Sequence, residues 1–199
     1  MDENDEWKTL SSEVHYADRN LRVVTEQICT PARTKPRAWT TVNRKPAVVV
    51  APMTPDGKMV LIRQERIPIR AAIWEMPAGQ IDDATTDEAA IRAVALRELG
   101  EETGYRLAKG GEMIALGDYF SSPGFTDEHA YFFLARPVEP IPNGHAHDES
   151  EAILDCRSFD VSELGRMIAA NEIRDANTLS VCARLVARGL LSFDRDVPT

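Results

Sequence analysis

The sequence predicts a layered domain of the α/β or α+β class, and three observations carry that reading. Ala47-Val48-Val49-Val50-Ala51 is a β-branched apolar run with the composition of a buried strand. A second apolar run follows across Thr54-Pro55-Asp56-Gly57, a turn in which Pro and Gly each supply a dihedral that other residues resist. Further on, Asp87 or Thr86 can cap a helix that runs to about Thr103, where Gly104 supplies the stop. Strands interleaved with few helices bury their apolar faces in layers.

Taken in chain order, residues 1–45 read as a small N-terminal subdomain and residues 46–199 as the main domain. The opening MDENDEWKTL is acidic and is expected to be loose. A short strand is expected at Leu21–Val24, followed by a polar, Pro-containing stretch over Thr30–Arg44. After the Ala47–Ala51 strand, Lys58–Arg63 is the return strand of a hairpin. Ile73–Met76 is a third short strand, and Gln80–Thr86 a polar loop leading to the helix. Strands are then expected at Met113–Phe120, Ala130–Leu134 and Ile153–Cys156, with loops at Pro123-Gly124 and Asn143–Ser150. Val161–Asn171 and Thr178–Gly189 carry apolar residues at the helical period and should close the fold.

At 199 residues the chain has room for one domain with a small appendage. Its apolar fraction of 43% and charged fraction of 28% are those of an ordinary soluble protein. The net charge of −9 gives no general attraction to nucleic acid or anionic membranes, so no partner of either kind is expected. A phosphate compound would have to be bound by a local device, such as a metal ion or a few placed arginines. Cys29, Cys156 and Cys182 are far apart and form no CxxC pair, which fits reduced thiols in a cytoplasm better than a disulfide framework. The start lacks the basic and apolar regions of a secretory signal, and no run approaches a membrane span.

The chemistry is expected at the end of the helix. In Arg97-Glu98-Leu99-Gly100-Glu101-Glu102-Thr103-Gly104-Tyr105, Glu101 lies about 60° behind Glu98 and Glu102 about 40° ahead of it. Three carboxylates thus share one face. The preceding residues, Ala89 to Leu96, are apolar almost all round, which predicts a helix sandwiched between layers. Like charges at these spacings repel, more strongly where water is scarce. Carboxylate oxygens gathered this way are what Mg²⁺ or Mn²⁺ prefers. The bland alternative is a solvated acidic helix end.

The residues around the triplet resemble a known family. The run from Arg97 to Tyr105 matches REUxEExGU, the distal half of the Nudix box, at every specified position, and Gly79 supplies its starting glycine. Glu75-Met76-Pro77-Ala78-Gly79 resembles the E-x-P-A-G run of the ADP-ribose and nucleotide-sugar pyrophosphatases within that family. Ile62-Arg63-Gln64-Glu65-Arg66 is similar to their V-x-Q-x-R strand. The match covers roughly residues 45–199. One departure stands out: the loop between Gly79 and Arg97 is four residues longer than the family pattern, so the family's first glutamate has no counterpart in register, and Glu88 or Asp87 stands nearest to its place.

The resemblance implies a Nudix α/β/α sandwich with a mixed sheet, beside the small N-terminal β subdomain. It implies Mg²⁺ (or Mn²⁺) held by Glu98, Glu101 and Glu102 with the carbonyl of Ala78, while Gly79, Arg97 and Glu88 have structural roles. Arg66 would meet the substrate's phosphates, because a guanidinium fork donates two parallel hydrogen bonds. Glu75 and Pro123 would also border the substrate. A loop glutamate would act as base or orient the water, Glu151 aligning best and Glu149 next; Glu101 is a further catalytic candidate. His145 and His147 share that loop but have no evident third ligand. The implied reaction is hydrolysis of the pyrophosphate of a nucleoside-diphosphate derivative, foremost ADP-ribose to AMP and ribose 5-phosphate. Other nucleotide sugars, dinucleotides, or a Nudix module that senses a nucleotide without cutting it are the alternatives. A homodimer is implied as well, with residues 1–45 crossing to the partner.

Overall fold

The computed structural model describes residues 7–82, 87–142 and 152–193. The chain packs into two compact units, Met1–Pro46 with Phe120–His129, and Ala47–Tyr119 with Ala130–Thr199.

The first unit is a three-stranded antiparallel sheet of β1 (Lys8–Ala17), β2 (Leu21–Thr30) and β3 (Arg33–Arg44), in that order. Asp18 makes the first reversal, its Oδ1 accepting from the backbone N–H groups of Asn20 and Leu21 at 2.7 and 2.9 Å, as an Asx turn does. The segment from Ser121 to Glu128 is stitched to β3. Val42 N–H donates to the Phe125 carbonyl at 2.8 Å, Thr126 Oγ1 donates to the Val42 carbonyl at 2.7 Å, and Asp127 accepts from both the side chain of Asn43 and the backbone N–H of Arg44. The sequence predicts a polar stretch over Thr30–Arg44, where the structure has β3, and β1 takes in residues 8–10 of the acidic opening, whose first six residues lie outside the described residues. A strand with one packed face shows period-2 alternation. All ten residues of β1 are exposed, so no burial imposes that pattern.

The second unit has a four-stranded mixed sheet in the order β7 (Ala78–Gln80), β4 (Ala47–Pro52), β9 (His129–Pro140), β8 (Tyr105–Phe120). β4 and β9 run parallel and β7 antiparallel to β4. A three-stranded antiparallel sheet, β10 (Ile153–Phe159), β5 (Met59–Arg66), β6 (Ala71–Glu75), lies in the same unit. β4 divides the core. Val48 and Val50 join Val60, Ile91, Ala95 and Leu99 on the side of helix α1 (Glu88–Thr103). Val49 and Ala51 join Leu61, Leu164, Val181 and Leu185 on the side of α2 (Val161–Ala169) and α3 (Ala176–Ala187). Helices on both faces of a mixed sheet are the α/β/α sandwich that the resemblance implies. No helix among the described residues is long and apolar enough to cross a membrane.

Two local expectations are corrected. α1 is not sandwiched all round: it buries the single stripe Ile91, Ala95, Glu98, Leu99, Glu102 and leaves Ala93 and Leu96 exposed. Alanine is apolar but small enough to face water at little cost, so it inflates an apparent apolar face. β8 begins at Tyr105, immediately after the αL residue Gly104, rather than at Met113. Trp74 belongs to the strand core, packed edge-on to Phe159 at 5.0 Å with the Arg157 guanidinium 4.6 Å over its ring. Burial pushes the thiol of Cys156 up to about 11 and that of Cys182 to about 12, so both pack as small neutral groups.

Candidate active site

The site is built where α1 ends against the segment from Glu75 to Gln80. Asp87 caps the helix by accepting from Ala90 N–H at 3.0 Å, and Gly104, at φ 69°, ends it with its N–H on the Gly100 carbonyl. With both ends fixed, Glu98 and Glu102 are held one turn apart on the buried stripe, at 5% and 1% exposure. Glu101 lies at the rim with about half its side chain in water, so the three share a face without sharing an environment.

The segment opposite is pinned at each step. Met76 N–H donates to Thr178 Oγ1 at 2.8 Å, the Pro77 carbonyl accepts from Val50 N–H at 2.9 Å, and Ala78 N–H donates to Glu102 Oε2 at 2.7 Å. Ala78 and Gly79 then pair with Val49 and Val48 of β4. Gly79 is required here. A Cβ on it would fall 2.0 Å from Cδ and 2.1 Å from Oε1 of Glu98, so only glycine lets that carboxylate lie against the backbone. Thr178 is itself fixed by Asp175, which caps α3 and accepts from both its N–H and its hydroxyl. Neither residue is singled out by the sequence, since the bond to Met76 spans 102 positions. Only the Asp175–Thr178 capping pattern hints that this helix end is organised.

Arg97 donates to Glu98 Oε1 and to Glu101 Oε2. Burial disfavours its cation, but the two carboxylates outweigh this and hold its pKa above the ordinary value. Glu88, the nearest counterpart of the family's bracing glutamate, does not reach Arg97; it is exposed in the first turn of α1, about two and a half turns away. Arg66, at the end of β5, is committed to Glu75. Its Nε lies 2.9 and 3.1 Å from the two carboxylate oxygens and its Nη2 2.8 Å from Oε2. Burial pushes the Glu75 carboxyl up, against the pull of Arg66, and Asp175 pushes it the same way. Glu75 therefore lies beneath Arg66, 2% exposed, rather than at the surface. Pro123 is in the other unit, lining a cavity of about 350 Å³ with Trp7, Trp39, Arg33, Arg37 and Glu26. Glu149, Glu151, His145 and His147 lie outside the described residues.

Among the described residues no three acidic, histidine or cysteine side chains form a ready-made metal cage. In this arrangement Arg97 occupies one oxygen each of Glu98 and Glu101. The donor set nevertheless suits a hard divalent cation. It is all oxygen, two of its carboxylates are almost wholly buried, and Gly79 lets the Glu98 carboxylate lie against the backbone beside the Ala78 carbonyl.

The family model of the NUDIX domain matches residues 43–181. The chain belongs to the Nudix family. It is 30% identical over 173 residues to an ADP-ribose pyrophosphatase of Bacillus subtilis (strain 168), a match covering 87% of this chain and 89% of the relative. It is also 30% identical over 175 residues to a methanol dehydrogenase activator of Bacillus methanolicus, with the same coverage. Among solved structures, a crystal structure of an ADP compounds hydrolase superposes with a TM-score of 0.74, covering 94% of this chain and 97% of that one at 18% identity. That likeness establishes the Nudix fold. The protein is thus a Nudix hydrolase of the ADP-ribose pyrophosphatase-like kind.

Proposed function

We propose that this Nudix hydrolase cleaves the pyrophosphate of nucleoside-diphosphate-linked compounds with the help of Mg²⁺ or Mn²⁺, and that ADP-ribose, cut to AMP and ribose 5-phosphate, is its principal substrate. The observation that carries the reading is the burial of Glu98 and Glu102 against a glycine that has no room for a side chain. Two carboxylates kept from water at this proximity repel each other and lose hydration, an arrangement that cation binding relieves.

The cation would be held by Glu98, Glu102, Glu101 and the Ala78 carbonyl; bound there, it neutralises anhydride charge and makes water more acidic. Arg97 keeps Glu98 and Glu101 in orientation, and Ala78 N–H fixes Glu102. Arg66, with two of its nitrogens on Glu75, is turned by that pair and offers Nη1 to a phosphate oxygen. Glu151 is the base, with Glu149 next in line. The indoles of Trp7 and Trp39 offer stacking faces for a nucleobase in the cavity of the N-terminal unit. The functional species is a homodimer.

The test is product release from ADP-ribose, ADP-glucose, GDP-mannose, NADH and diadenosine polyphosphates, with and without Mg²⁺, for the wild type and Glu102→Gln. Metal-dependent cleavage, strongest on ADP-ribose and lost in the variant, is expected. Tight binding of one compound with no turnover would replace this reading with a nucleotide sensor.

A further inference from the structure

The hairpin between β5 and β6 closes through one 3₁₀ turn, Ile67–Ile69, with Arg66 before it and Arg70 after it. Arg70 has φ 51° and ψ 43°, and its N–H bonds to the Ile67 carbonyl at 3.2 Å. This left-handed conformation costs any residue with a Cβ, and glycine adopts it freely. Among the described residues one other non-glycine has positive φ, Asn171, a type that tolerates the region. The αL conformation closes the turn on the Ile67 carbonyl, a task glycine would do without strain, so the backbone gives no reason for an arginine here. The Arg70 side chain is exposed and makes no hydrogen bond or ion pair with any described residue. Strained backbone held by a non-glycine residue is frequent at ligand sites.

The same turn borders a cavity of about 370 Å³ lined by Glu65, Arg66, Ile67, Arg70, Ala71 and Ala72. Arg66 spends Nε and Nη2 on Glu75, whereas the fork of Arg70 has no partner among the described residues. Two guanidinium groups therefore flank one cavity of a chain whose net charge is −9, the local device that an acidic protein needs to hold an anion. Arg66 is tied to the carboxylate face through its partner Glu75, which lies three residues before Ala78, whose N–H donates to Glu102 Oε2 at 2.7 Å.

We propose that Arg70 is a second phosphate-binding arginine, which takes a phosphoryl group of the substrate in the hairpin cavity beside Arg66 and sets affinity for the substrate. This rests on the pyrophosphatase reading above and adds a residue that the Nudix motif does not contain.

Arg70→Gly separates the proposal from a structural role, because the two demand opposite outcomes. Relief of the left-handed strain offsets the flexibility that glycine brings to the unfolded chain, so Tm should not fall. Affinity for inorganic pyrophosphate, measured by calorimetry without metal, should drop about tenfold with loss of a charge-assisted contact, and KM for the hydrolysed substrate should rise by a similar factor. Arg70→Lys should recover part of both. Unchanged pyrophosphate affinity in a stable Arg70→Gly protein overturns the proposal. If the wild type cleaves nothing, the pyrophosphatase reading fails, while the calorimetric comparison still decides the role of Arg70.

Discussion

β1 and the last turn of α1 invert the usual rule of burial in opposite senses. β1 puts Leu10, Val14 and Tyr16 in water with every neighbour on the strand. The end of α1 takes Glu98 and Glu102 out of it. A buried charge and an exposed apolar stripe are the two informative departures from ordinary packing. Neither is what a chain selected for stability alone would keep, and they differ in how they are supported. The glutamates are locked by Ala78 N–H, Arg97 and the bare backbone at Gly79. The apolar residues of β1 have only their neighbours in a three-stranded sheet. Chemistry needs groups fixed in place, whereas recognition needs surface left over.

The sharpest way to break this comparison is to remove one locked charge. Glu102→Gln keeps the volume but removes a proposed metal ligand, and kcat should fall by about 10³-fold or more with the circular dichroism spectrum unchanged. Retention of activity within tenfold would mean that the buried pair is a packing feature. Gly79→Ala comes next. A methyl group 2.0 Å from the Glu98 carboxyl carbon must push that carboxylate aside, and a loss of about 10²-fold in kcat/KM is expected from steady-state kinetics. Normal kinetics in this variant would show that the position of Glu98 does not matter. Thr178→Val is smaller. It strips the buried partner from Met76 N–H, and urea denaturation should show a stability loss of about 1–3 kcal/mol. The smallest effect is predicted for the other region. Val14→Thr, on an exposed strand, should alter stability by no more than about 0.5 kcal/mol at low protein concentration. A larger loss that grows with concentration would show that β1 is covered by a second copy.

The legible parts of the fold were those written locally. Asp87 and Gly104 bracket α1 within one stretch of chain, and both caps are where they were expected. Ala47–Ala51 is fully apolar because both its faces are covered, and it is read as a strand for the same reason. β1 and β3 were missed because exposure removes the alternation that marks a strand. In the candidate site, the helical period already put Glu98 and Glu102 on one face, but the approach of Ala78 and Gly79 to them was legible only through the family pattern, since it is closed by tertiary contact. The Glu75–Arg66 pair was half legible: both residues were singled out, but for the substrate rather than for each other. Thr178 left only a capping pattern with Asp175, and Arg70 left no signal. One acts through a contact 102 positions away, and the other through a backbone angle that no residue type announces.

The tie between Met76 and Thr178 also sets an order of assembly. Glu98, Glu101 and Glu102 have all been made before α3 exists, yet the strand segment they lean on is anchored by the first turn of that helix. During synthesis the chain therefore carries its reactive groups for some eighty residues of further growth before the brace that aligns them arrives. The segment opposite the glutamates is braced only once the chain has been made as far as Thr178.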